Sequence, residues 1–81
     1  MPGTYILYSE KIDGYYFDAC TDMQRRLYEH NIGHSKFTKK GMPLTIVHFE
    51  EFDTLLQAKH RELQIKKMKS RKYVKALISS Q

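Results

Sequence analysis

The sequence predicts a small α/β domain of the α+β kind: a three-stranded antiparallel sheet flanked by helices, in the order ββαβαα. Three observations predict it. Two tyrosine-rich stretches, 4–11 and 15–20, meet at an Asp-Gly turn. A β-branched apolar run, 44–50, stands between segments of helical character. Three segments carry apolar residues at helical spacing behind capping residues.

The first strand is "TYILYSEK", with Tyr5, Leu7 and Ser9 on one face and Ile6 and Tyr8 on the other. "KIDG" turns the chain, Gly14 being the residue that tolerates positive φ. "YYFDAC" is the second strand, Tyr16 and Asp18 sharing a face. "TDMQ" reads as a capping box, with Thr21 as cap, Gln24 reaching back and Asp22 favouring the dipole. The helix runs to about Asn31, and Gly33 stops it. "HSKFTKKGMP" is a basic loop and "LTIVHFE" the third strand. Asp53 starts a long helix over 53–69, and Ser70 caps a last one, "RKYVKALIS".

With 81 residues there is one domain, 1–81, and its core is expected to be one thin layer. A single cysteine excludes a disulfide framework and a cysteine-only zinc site, so Cys20 reads as a reduced packing thiol. Met1-Pro2-Gly3-Thr4 lacks the basic start of a signal peptide. No apolar run approaches the roughly 20 residues that span a bilayer. The expectation is a cytoplasmic protein with no membrane partner. The charge is +5 overall, and it is lopsided. Up to Glu51 the balance is −1; from Phe52 onward eight Lys/Arg face two Asp/Glu. That asymmetry points to a polyanion or to an ordinary solvated helix face. Lys66, Lys67, Lys69, Arg71 and Lys72 form a run that suits backbone phosphates, and Lys36, Lys39 and Lys40 in the basic loop extend it.

Glu62 is the most informative position. Leu55, Ala58, Glu62 and Ile65 fall on one helical stripe, which Phe52, Leu56 and Leu63 widen. A carboxylate there is costly unless paired or metal-bound. The alternatives are a stripe-edge glutamate paired with a lysine, a metal ligand or a catalytic carboxylate. Arg26 and His30 stand one turn apart beside Met23 and Leu27, while Arg25 and Glu29 read as surface residues. Arg26 suits a phosphate or a neighbouring carboxylate; His30 alone reads as structural. Tyr8 and Tyr15 are packing residues. Tyr5 and Tyr16 each share a strand face with a polar residue, Ser9 and Asp18 respectively.

Gly3-Thr4-Tyr5, Tyr16-Phe17-Asp18, "DMQRRL" with His30-Asn31, and "AKHRELQIKKMKSRK" together resemble the GIY-YIG nuclease superfamily. The likeness is to small bacterial members related to the nuclease domain of the excinuclease C subunit, over roughly residues 4–79. It implies site roles. Tyr5 and Tyr16 stand at the two motif tyrosines, Arg26 at the catalytic arginine, and His30 at the histidine one turn later. Glu62 stands at the glutamate holding one divalent cation, Mg²⁺ with Mn²⁺ as substitute. Asp18 replaces the usual glycine. If a tyrosine is the general base, a nearby cation must lower its pKa from about 10.

The expected function is a metal-dependent DNA endonuclease that hydrolyses phosphodiester bonds, or a nuclease domain that borrows its specificity from a partner protein. The alternatives are a catalytically impaired nucleic-acid-binding module and a basic structural interaction protein. Asp18 is expected to pair with Arg26 or a lysine in preference to joining Glu62 as a second ligand.

Overall fold

The structure, a computed structural model, describes residues 2–33 and 39–80. β1 (Gly3–Ser9) is the central strand. It pairs antiparallel with β2 (Gly14–Cys20) on one side and β3 (Leu44–Glu51) on the other, giving the order β2-β1-β3. The register slips by one residue against β3 between Ile6 and Leu7, with Val47 at the bulge. α1 (Met23–Asn31) follows β2; α2 (Leu55–Met68) and α3 (Arg71–Ser79) follow β3. The predicted class and element order are those observed.

Strand alternation divides the core in two, where one layer was expected. Tyr5, Leu7, Cys20 and Leu44 are buried on one face, packed by Met23 and Leu27 of α1. Ile6, Ile65 and Val74 are buried on the other, with Phe17, Tyr73 and Leu77 around them. Each fully buried aliphatic side chain contributes about 1.5–3 kcal/mol. Gly3 sits where the ring of Phe49 crosses the strand, and a Cβ there would collide with it.

Several local details differ from the sequence expectation. Asp13, at φ 49°, takes the left-handed turn position, and Gly14 already belongs to β2. Asp22, not Thr21, caps α1, accepting from the Arg25 amide at 3.1 Å; no capping box forms. An aspartate at that position satisfies an amide and meets the dipole at once. Thr54, not Asp53, caps α2, in a full capping box with Gln57. Leu56 and Leu63 are 64% and 51% exposed, so they do not widen the buried stripe. It is confined to Ala58 and Ile65, bordered by Glu62, because α2 packs through one narrow face. Ser70 caps α3, and Gly33 ends α1 at φ 82°, both as expected. Half of the basic loop, Lys36 among it, lies outside the described residues.

Candidate active site

The two sheet faces meet different helices, and the site forms where α1, β2 and α2 come together. Tyr5 on β1 lies directly across from Asp18 on β2. Its hydroxyl donates to Asp18 Oδ2 at 2.9 Å. His30 Nε2 lies 3.3 Å from the same oxygen, and so does an Arg26 guanidinium nitrogen. Asp18 Oδ1 accepts from the Ala19 amide at 2.8 Å. Arg26 and His30 reach this point from one side of α1 because they are four residues apart. Three sequence-predicted site residues therefore share one carboxylate oxygen, and the predicted pairing of Asp18 with Arg26 is present.

Tyr5 is completely buried. Burial first, and then the charge and hydrogen bond of Asp18, push its hydroxyl well above the ordinary tyrosine range. A cation-lowered tyrosine is the opposite of what stands here. Tyr16 shares the strand face, but its hydroxyl ends elsewhere: a Cβ on Gly41 would stand 3.1 Å from it. Cys20 is a buried free thiol, its pKa raised chiefly by burial.

Glu62 lies on the buried side of α2 with a side chain only 16% exposed. Burial pushes its carboxyl above the usual range; Lys66, 3.7 Å away, pulls it back, and the negative charge of Asp18 pushes it up again. Its position is fixed from the sheet. Thr4 donates its hydroxyl to the Ala58 carbonyl, one turn before Glu62. Between α1 and α2 runs an open groove lined by Arg25, Arg26 and Lys59, with Cys20, Asp22 and Leu55 along its floor and rim. Arg25 and Lys59 were not among the sequence candidates. Nothing in their local sequence separates them from solvated charges.

The residues fit one divalent cation at Glu62. Among the described residues no three His, Cys, Asp or Glu converge into a closed cage. Mg²⁺ does not need one, being held by one or two carboxylates with water and phosphate oxygens completing the shell. A half-buried carboxylate whose ionised form is disfavoured is also relieved by a nearby cation.

The basic run is less uniform than its sequence. Lys66, Lys67, Lys69 and Lys72 are exposed. Lys66 is paired with Glu62, and Arg71 is engaged with Asp13 and lies over the Tyr15 ring at 5.0 Å. Lys40 is exposed; the side chain of Lys39 lies outside what is described, and the backbone of Lys39 opens a short 3₁₀ turn to Gly41.

Two further networks escaped sequence reasoning. Asn31 donates to the Leu44 carbonyl at 3.1 Å and accepts from its amide at 2.7 Å, tying the end of α1 to β3. Glu50 takes His48 at 2.7 Å and Arg61 through two nitrogens, and Arg61 reaches the Tyr73 hydroxyl. Burial raises Glu50, but the bonds from Arg61 and His48 outweigh it and hold the carboxyl below its usual range. That network locks α2 and α3 to β3, away from Asp18.

Among the described residues no helix is long and apolar enough to cross a membrane. A family model described as the GIY-YIG catalytic domain matches residues 1–74. A UPF0213 protein of Halobacterium salinarum is 44% identical over 55 residues, covering 67% of this chain and 71% of its own length. A UPF0213 protein of Listeria innocua is 40% identical over 57 residues, covering 69% of this chain and 63% of its own. One from Syntrophus aciditrophicus is 45% identical over 49 residues, covering 58% and 56%. The chain thus spans roughly two thirds of the relatives it matches. No solved structure matches the chain.

Proposed function

This chain belongs to the GIY-YIG catalytic-domain family, a family of nucleases, and on that premise we propose that it is a divalent-metal-dependent endonuclease that hydrolyses DNA. The observation that carries the proposal is the meeting of Tyr5, Arg26 and His30 on one oxygen of Asp18, whose negative charge reaches the half-buried Glu62. Residues 1–81 act as one nuclease domain, and a partner protein supplies specificity in the cytoplasm.

Glu62 would hold the cation, which when bound would supply Lewis-acid polarisation of the phosphate and charge stabilisation at the leaving oxygen. Arg26 offers fixed donors to charge that develops on the phosphoryl oxygens. His30, oriented by Asp18 at its Nε2, accepts the proton of the attacking water. Tyr5 serves the site by holding Asp18, since its buried hydroxyl is already spent as a donor. Arg25 and Lys59 along the groove, with Lys66, Lys67 and Lys69, neutralise flanking phosphates.

Nicking of supercoiled plasmid tests this. Wild type should nick with Mg²⁺ or Mn²⁺, stop with EDTA, and be inactive as Glu62→Ala. Cleavage by wild type and variant alike would reject it. A module that binds nucleic acid without cutting is the rival reading, favoured by the contact that Asp18 makes with Arg26. It predicts salt-sensitive DNA binding with no nicking at any metal concentration.

A further inference from the structure

We propose that the Asp18 carboxylate is a built-in anion that competes with phosphate for Arg26, so that the guanidinium must leave Asp18 to engage a phosphate through two of its nitrogens. The inference rests on the phosphate-binding role given to Arg26 above. The Tyr5 hydroxyl from β1, the His30 ring from α1 and, one turn earlier on α1, the Arg26 guanidinium as an ion pair converge on Asp18 Oδ2. Convergent donors on a single point are how proteins bind an oxyanion. Here the anion comes from the chain itself.

The contacts divide into fixed and exchangeable. Tyr5 is fully buried and His30 is 7% exposed, so their donors stay in place. Asp18 is also anchored by the Ala19 amide. Arg26 differs: its side chain is 42% exposed and meets Asp18 through one nitrogen at 3.3 Å. The strong arrangement for a guanidinium is bidentate, with two parallel bonds near 2.7–2.9 Å. A single, longer contact at a solvated site holds only weakly. A phosphate entering along the groove with two oxygens free therefore offers Arg26 a better partner. Asp18 is a competitor for the arginine, and its negative charge also opposes the incoming anion.

Binding of inorganic phosphate to the metal-free protein tests the proposal without reference to cleavage. Wild type should bind it weakly by calorimetry. Asp18→Asn, which keeps the side-chain shape, should bind it about tenfold more tightly, and Asp18→Gly likewise. Adding Arg26→Ala to Asp18→Asn should remove the gain. The proposal is overturned if both folded Asp18 variants bind phosphate no better than wild type, or if the gain survives loss of Arg26. A gain in phosphate affinity without plasmid nicking in any form would sink the nuclease assignment alone.

Discussion

Arg71 closes a fork on Asp13, donating to its carboxylate at 2.7 Å and to its backbone carbonyl at 2.9 Å. The contact joins the first residue of α3 to the hairpin turn between β1 and β2, and Tyr8 adds a hydroxyl bond at 2.7 Å. Tyr8 first, then Arg71, hold the Asp13 carboxyl below its usual range. The folded protein therefore binds this proton less tightly than the unfolded chain, whose carboxyl titrates at about 3.9. The stability it adds is present above about pH 4 and is lost as pH falls through the lower folded value. Asp13→Asn should shrink the acid-side loss in melting temperature measured across pH 2–5. Arg71→Ala should lower the melting temperature and leave the salt dependence of DNA binding unchanged.

The exposed lysines behave differently. Replacing Lys66, Lys67 and Lys69 together should weaken affinity for all DNA sequences alike, and the log–log salt slope should fall by about one for each phosphate that is no longer neutralised. An unchanged slope in filter binding across 50–200 mM salt would remove this surface from the DNA path.

Glu62 should trade stability against activity. Its folded carboxyl is raised, by burial before anything else. The ionised form therefore disfavours the fold, and metal-free wild type should lose stability as pH rises from about 4.3 through the higher folded value. Glu62→Gln should melt a few degrees higher than metal-free wild type at pH 7. It should lose Mg²⁺-induced stabilisation and at least two orders of magnitude of nicking. Calorimetric melts with and without Mg²⁺, run beside the nicking assay, read these effects.

Arg26→Ala should cut nicking by two or more orders of magnitude with an unchanged circular dichroism spectrum, since its side chain is partly solvated. Arg26→Lys should not restore the rate, because a point charge cannot replace a planar fork. Full activity in the lysine variant would reduce the role to charge alone.

Tyr5→Phe separates support from proton transfer. Removing its bond to Asp18 should cost about 0.5–1.5 kcal/mol of stability by urea denaturation. Removing a general base should cost roughly 10²–10⁴-fold in rate. The expected result is the stability loss with a rate drop under about tenfold, and the larger kinetic loss would make Tyr5 the base.

Much of this was legible in the sequence, for identifiable reasons. Period-2 alternation placed Tyr5 and Asp18 on faces that the register then brought opposite each other. The i, i+4 spacing of Arg26 and His30 was enough to aim both at one oxygen. Periodicity flagged Glu62 because a carboxylate in an apolar arc is expensive. It also misled, since it counts Leu56 and Leu63 as core without knowing how wide a face the helix will bury. Caps slipped by one residue at Thr21 and Asp53 because two competent side chains stood side by side at each start. Arg25, Lys59 and the His48–Glu50–Arg61 network depend on contacts between distant segments, and no local pattern encodes those.

Thr4 and Tyr5 are neighbours on the central strand, and alternation sends them to opposite faces. One grips α2 just before Glu62, and the other grips Asp18 beneath α1. The two halves of the site are thus bolted through the same peptide unit, on a strand paired along both edges. Neither half can swing away alone as a hinged lid would. Heating should abolish cleavage and sheet signal in a single step, with no temperature at which a folded but misaligned enzyme accumulates.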